Sequence, residues 1–159
     1  MTDRSRGRDL NLAARSWLKV GARTLPAVAS SPLRADLAEA RLAVVSTGGA
    51  RLSDQAPFDT GRLGDPTFRA IPAGVEPEDL VWEHPHYDTA LTEEDPDCVF
   101  PLGLVRRLAD EGIVGGVAPT AFSLMGYAPL TRPVVEETAP EIGQMMQGER
   151  VDAALLCPA

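Results

Sequence analysis

Both histidines of the chain fall within one short segment, residues 84–88 (HPHYD). In an extended segment the H-x-H spacing places both imidazoles on one side, where they suit a general base, a substrate contact or, with a carboxylate or thiol, a Zn²⁺ site. No C-x-x-C or H-x-x-x-H motif accompanies the pair, so we expect no metal. We predict that His84, His86, Tyr87 and Asp88 contact a substrate; the alternative is a hydrogen-bonded structural histidine.

Two further segments carry polar or flexible residues directly after apolar runs. Ser46, Thr47, Gly48 and Gly49 follow the run at residues 41–45, and hydroxyls beside glycine backbone suit an anion. The segment lacks the Walker spacing and the three-glycine dinucleotide fingerprint, so a nucleotide site is disfavoured, and a simple turn is the alternative. Residues 123–127 follow another run, and there we predict Met125 and Tyr127 as substrate contacts. Ser123 lacks the setting of a hydrolase nucleophile.

Cys98 and Cys157 are the two cysteines of the chain. Two are too few for a disulfide framework, so we expect a reducing, cytoplasmic compartment. Cys157 ends an apolar run at residues 151–157, where a thiol suits redox chemistry. The alternative is a small buried strand residue.

These segments must be positioned by a regular scaffold, and the chain alternates strand and helix patterns. Four strands are predicted, at residues 41–47, 79–84, within 115–122, and at 151–157. Two helices are predicted: one begins at Pro101 and ends at Gly112, and the other runs from Pro133 to Gly148 with a kink or restart at Pro140. This alternation indicates an α/β fold with three layers, in which a mostly parallel sheet is connected by crossover helices. In such sheets ligands bind beyond the carboxyl ends of the strands.

Charge divides the chain into two parts. The whole chain has 159 residues and a net charge of −8, which argues against nucleic acid as a partner. Residues 1–34 are basic, and we predict there an arm with an amphipathic helix; residues 35–159 form the α/β domain. No apolar run approaches the ~20 residues of a membrane span, so no membrane partner is expected.

Many short motifs in order along the chain resemble one known family. The sequence resembles the selenoprotein B family of glycine, sarcosine, betaine and D-proline reductases from about residue 35 onward. The motifs that carry the resemblance are residues 42–49 (LAVVSTGG), 57–59 (PFD), 64–69 (GDPTFR), 84–88 (HPHYD), 97 and 99–102 (D, VFPL), 125–127 (MGY), 136–142 (EETAPEI) and 151–156 (VDAALL).

The resemblance implies a reductase that cleaves a carbon–nitrogen bond of a small amine or amino acid with a dithiol couple. In that family a selenocysteine or cysteine displaces the amine, in a U-x-x-C or C-x-x-C motif directly after the strand that matches 151–156. Here that motif is expected just beyond Ala159, so the domain is expected to be incomplete at its carboxyl end. No cofactor is expected within this chain, and Cys157 is at most an accessory thiol.

The family also implies partners, namely other reductase subunits, one with a pyruvoyl group, and the chain itself is a candidate homo-oligomer. Two other classes of protein stay open. One is a non-catalytic small-ligand-binding or regulatory subunit on the same fold, and the other is a zinc hydrolase.

Overall fold

The computed structural model describes residues 31–84 and 89–159, and the strand with the most neighbours is β1, Arg41–Ser46. It pairs in parallel with β5 (Gly116–Val117) and β6 (Thr120–Leu124). It also pairs in parallel with β7 (Ala153–Cys157). Because β7 pairs with the same residues of β1 that meet β5 and β6, it lies on the opposite edge of β1. The predicted α/β fold with a mostly parallel sheet is confirmed.

Residues 50–75, where the sequence predicts no strand or helix, contain two strands. β2 (Ala50–Leu52) is short, and β3 (Phe68–Pro72) pairs antiparallel with β6 at the other end of the main sheet. The strand predicted at residues 79–84 is present as β4 (Leu80–Trp82), but it was wrong to place it in the parallel sheet. It pairs antiparallel with β2 in a separate sheet of two strands.

The strand predicted within residues 115–122 is interrupted at Ala118 and Pro119. Proline cannot donate a ladder hydrogen bond, so the pairing with β1 breaks there and resumes at β6. The Ala118 N–H still reaches Leu42 O on β1 at 2.7 Å. The two pieces therefore follow one line along the sheet.

Helices connect the parallel strands. The first helix is the short α1 (Ala90–Glu94). The next, α2 (Leu102–Asp110), begins after Pro101 and ends before Gly112, as predicted. Gly112 has a positive φ of 70°. The second helix is made of α3 (Thr131–Pro133), a π-helical segment (Val134–Thr138) and α4 (Ala139–Gly148). We call residues 131–148 the composite helix. The predicted restart at Pro140 is wrong: Thr138 and Ala139 keep αR backbone dihedrals, Thr138 makes no side-chain cap hydrogen bond, and the helix runs on through Pro140. Proline has no N–H for an ordinary turn, and the wider π turns that end at Thr138 accommodate it.

The core lies on both faces of the main sheet. On one face Ala43 and Phe122 pack with Ile142 of α4. On the other face Val44 packs with residues of α2 such as Val105. Residues 33–159 form one compact unit, whereas the predicted basic arm falls largely on residues 1–30, outside the described part. Within the described residues, none of the helices has the length and apolar character that a membrane span needs.

Candidate functional site

The carboxyl ends of three strands meet at the turn that follows β1. The Thr47 N–H donates to Cys157 O at the end of β7 (3.0 Å), and the Gly49 N–H donates to Leu124 O at the end of β6 (2.9 Å). The Ala159 N–H donates to the Thr47 hydroxyl at 2.9 Å. The turn at residues 46–49, predicted as a candidate site, therefore forms the backbone hydrogen bonds that join the ends of β6 and β7 to the end of β1.

Gly49 also brings the histidine segment to this edge. The Glu83 N–H donates to Gly49 O at 2.9 Å. Gly49 has a φ of +70°, and a Cβ there would lie 2.2 Å from Glu83 O. Only glycine fits such a close approach of two backbones. His84 is the next residue and is half-buried; His86, Tyr87 and Asp88 lie outside the described residues, so their substrate contact stays a prediction.

Glu83 is a half-buried anchor that the sequence did not indicate. Its Oε1 pairs with Arg51 Nη2 at 2.8 Å, and its Oε2 accepts the Phe58 N–H at 2.8 Å. The hydrogen bond from Arg51 lowers the pKa of Glu83 against the opposing effect of burial, and the Phe58 N–H adds to the lowering. The anchor therefore stays ionised and holds β2, residue 58 and the start of the histidine segment together.

A cavity of about 280 Å³ opens beside the ends of β1 and β6. Its walls are mostly apolar, and they come from both strand ends and from the first turns of the composite helix. Lining residues include Thr47, Asp65, Leu124, Gly126, Thr131 and Val134. The cavity lies beyond the carboxyl ends of parallel strands, which is where open α/β sheets bind ligands.

Asp65 is one of the residues that line this cavity, and it is 8% exposed. Burial alone would raise its pKa, but hydrogen bonds from Thr67 and from the Asp59 N–H, with the charge of Arg69, lower it. The Arg69 guanidinium lies 3.5 Å from Asp65 Oδ2 and stacks over the Phe58 ring. Asp65 therefore stays charged and orders its loop. Its only sequence signal is its place in the GDPTFR motif.

The other residues predicted at this site serve the scaffold in different ways. The Ser46 hydroxyl donates to Val99 O at 2.6 Å and accepts the Gly48 N–H at 2.9 Å, so it fixes the turn from within. Met125 is fully buried, whereas its neighbours Leu124 and Gly126 line the cavity. Tyr127 is half-buried, and its backbone O accepts the Asp65 N–H at 3.2 Å.

Neither cysteine has an environment that activates a thiol. Burial raises the pKa of the half-buried Cys157 thiol above its ordinary value. Burial and the nearby charge of Asp95 raise the pKa of Cys98. Within residues 31–84 and 89–159, no group of three or more His, Cys, Asp and Glu side chains is arranged to hold a metal ion.

Comparison with known proteins identifies the family of reductase proteins to which this chain belongs. The model of the glycine/sarcosine/betaine reductase selenoprotein B family matches residues 70–159, more than half of the chain, so the chain belongs to that family. It is similar to the D-proline reductase subunit gamma of Acetoanaerobium sticklandii, with 32% identity over 126 residues. That match covers 79% of this chain and 51% of the relative, so the chain spans about half the relative's length. No solved structure matches the chain.

Proposed function

We propose that this chain is a component of a selenol- or thiol-dependent reductase that cleaves a carbon–nitrogen bond of a small amine or amino acid. Family membership carries the proposal. The relative with known activity is a subunit of D-proline reductase, which favours a substrate of that size and chemistry. The cavity beside Thr47, about 280 Å³ with mostly apolar walls, accommodates a small molecule.

The residues of this chain have a positioning role in that reaction. The nucleophile of the family, a selenolate or thiolate, would form a bond to carbon as the carbon–nitrogen bond breaks and the amine leaves. A thiol would then attack the selenium or sulfur, the released carbon would take up a proton, and a dithiol would be oxidised to a disulfide as the nucleophile is restored. The Thr47 hydroxyl accepts the Ala159 N–H at 2.9 Å, so Ala159 is held beside the turn that contains Gly48 and Gly49. Thr47 also lines the cavity, which supports a reaction centre near this turn.

The remaining parts of the proposal follow from the family. The chain acts in the cytoplasm with other reductase subunits, and the pyruvoyl group belongs to one of those partners. Selenocysteine is encoded by UGA, so the nucleotide sequence after codon 159 tests the position of the nucleophile. An in-frame UGA or cysteine codon followed by a continuing frame is expected; UAA or UAG directly after codon 159, or no continuing frame, would reject this placement.

Turnover tests the activity itself. The protein from the full reading frame is incubated with D-proline, glycine, sarcosine or betaine, a dithiol and the partner subunits, and the reduced product is measured. We expect product from one of these substrates. Thr47→Val, which removes the hydroxyl that holds Ala159, should lower kcat at least tenfold, whereas Thr60→Val at an exposed position serves as the matched control.

The second candidate is a non-catalytic subunit that binds a small ligand or regulates a partner. The raised pKa of both thiols favours it for the chain taken alone. Binding of an amine to the protein from the full reading frame, without a low-pKa thiol or selenol and without product, would support this candidate and reject the reductase.

A further inference from the structure

A second cavity, of about 220 Å³, lies where residues 95–97 meet the first turns of α2. It has no described lining residue in common with the cavity beside Thr47. Apolar side chains supply most of its surface, among them Phe100 and Leu102. Charged residues of both signs also line it, namely Asp95, Asp97 and Arg106. An apolar cavity with a few polar groups of both charges suits a small ligand that itself carries both charges.

Asp97 supplies a negative charge close to the start of α2. A Cβ at Gly103 would lie 3.0 Å from Asp97 Oδ2, so a glycine at this position leaves room for the carboxylate. The carboxylate pairs with Arg107 Nη2 at 3.3 Å, but the Arg107 side chain is 63% exposed, and such pairs contribute little. Among the described residues, no other donor reaches this carboxylate. It therefore keeps the capacity to accept a hydrogen bond from an ammonium group.

Arg106 supplies the positive charge and is half-buried. Its Nη1 donates to Ala73 O at 3.3 Å and to Val75 O at 3.1 Å, and these bonds hold the guanidinium in place. Within the described part of the chain, Nε and Nη2 donate to no acceptor. Their N–H groups are parallel, and such a pair of donors binds the two oxygens of a carboxylate. The Nε–Nη2 edge of Arg106 is therefore available for a carboxylate.

We propose that this cavity binds a small zwitterion, an amino acid with an apolar carbon chain. Its carboxylate accepts hydrogen bonds from Nε and Nη2 of Arg106, its ammonium group donates to Asp97, and its carbon chain contacts the apolar wall that includes Phe100. A ligand with one charge would leave either Asp97 or Arg106 unpaired inside the cavity, which costs free energy. The site is separate from the cavity beside Thr47, so the inference does not depend on the proposed reductase activity.

Titration followed by NMR tests this site on the chain of 159 residues. The probes are 5-aminopentanoate and L-norvaline, two isomers that differ in the distance between their charges. We expect at least one of them to bind and to shift the amide signals of residues 95–97 and 103–106 more than those of residues 126–131, which belong to the Thr47 cavity. Pentylamine and pentanoate each lack one of the charges, and both should bind at least tenfold more weakly.

Substitutions then assign the two charges. Asp97→Asn and Arg106→Gln each remove one of them and should each weaken binding at least tenfold. Asp110→Asn, at the exposed end of α2, is the matched control for the carboxylate. Arg132→Gln, with its side chain 82% exposed, is the matched control for the guanidinium. Both controls should bind the zwitterion as the unaltered chain does.

Three outcomes would overturn the proposal. The first is that neither isomer binds. The second is that pentylamine or pentanoate binds as tightly as the zwitterion, which would assign the cavity to a ligand with a single charge. The third is that the amide shifts are confined to residues 126–131, which would assign the ligand to the Thr47 cavity. If Arg106→Gln does not fold, the comparison of the four probes on the unaltered chain decides.

Discussion

At the scale of single residues, Gly49 allows the turn after β1 to lie close to the backbone of Glu83, because glycine has no Cβ. Gly49→Ala would place a Cβ 2.2 Å from Glu83 O at a φ of +70°. We expect a loss of roughly 2–4 kcal/mol in the free energy of unfolding, from backbone strain and displacement of residue 83. Urea denaturation measures it.

The control for this change is Gly143→Ala on α4. A Cβ at Gly143 meets nothing within 4 Å. Alanine there should stabilise the helix by roughly 0.5–1 kcal/mol. Equal stability of Gly49→Ala and the unaltered chain would contradict the close approach of the two backbones.

Glu83 gives the chain a pH-dependent contact. The bond from Arg51 lowers the pKa of Glu83 below its ordinary value of 4.5. A carboxyl with a lowered folded-state pKa stabilises the fold above its unfolded-state pKa, and this contribution is lost as the pH falls through the folded-state value. Glu83→Gln should therefore cost about 1–3 kcal/mol near neutral pH, and the difference from the unaltered chain should shrink below pH ~4.5.

Thermal unfolding between pH 3 and pH 8 checks this prediction. Glu94→Gln at an exposed position of α1 is the matched control and should follow the unaltered chain. Asp65, whose pKa is also lowered, still gives the Glu83→Gln variant some acid sensitivity. A stability difference that grows toward acid pH would reject the assignment.

The two thiols should react slowly. Burial raises the pKa of the Cys157 thiol above its ordinary value, so little thiolate is present at neutral pH. We expect iodoacetamide to alkylate Cys157 more slowly than free cysteine at pH 7, with a rate that still rises beyond pH 9. Mass spectrometry of the digested protein measures it, with Cys157→Ser to assign the peptide. Faster alkylation than free cysteine at pH 7 would show an activated thiol.

At the scale of elements, the π-helical segment docks the composite helix on the loop that carries Asp65. Thr138, 6% exposed, donates its hydroxyl to Pro66 O at 2.6 Å. Thr138→Val keeps the shape but leaves that carbonyl without its partner. We expect a loss of about 1–2 kcal/mol and faster amide exchange in residues 64–67. Thr60→Val is the exposed control, and unchanged exchange in the loop would contradict this docking.

The elements also differ in how well the sequence predicts them. β1 and β7 contain apolar runs, and their pattern alone predicts parallel strands. β1 is largely buried, whereas Leu155 and Leu156 of β7 are exposed. β3 is not predictable in this way, because Arg69 and Pro72 interrupt a short strand at the sheet edge. β4 is visible as a strand, but its partner β2 has three residues, too few to show a period.

The candidate site shows the same division. The turn at residues 46–49 is predictable because hydroxyls and glycines follow an apolar strand. Asp65 and Glu83 are not, since their charge state depends on partners brought in by folding. Arg51 lies 32 positions before Glu83 in the chain, and no periodicity connects them.

At the scale of the whole molecule, residues 33–159 form one compact unit. A variant that begins at residue 33 should therefore unfold cooperatively, with a Tm within a few degrees of the unaltered chain. This variant keeps the contacts made by the first residues of the unit, such as the hydrogen bond from the Gly115 N–H to Leu37 O at 3.1 Å. Calorimetry and far-UV circular dichroism measure it. Loss of the cooperative transition would show that the fold needs the basic arm.

The central position of β1 has a consequence during synthesis. All three of its parallel partners come later in the chain, and the hydrogen bond from the Arg41 N–H to the Asp152 carboxylate spans 111 residues. A ribosome adds ~5–20 residues per second, so β1 is exposed for roughly 5–20 seconds before β7 exists. During that time the apolar run of β1 is a target for chaperones that hold unpaired strands. Slower translation of residues 47–152 should lengthen this exposure and increase aggregation of the nascent chain.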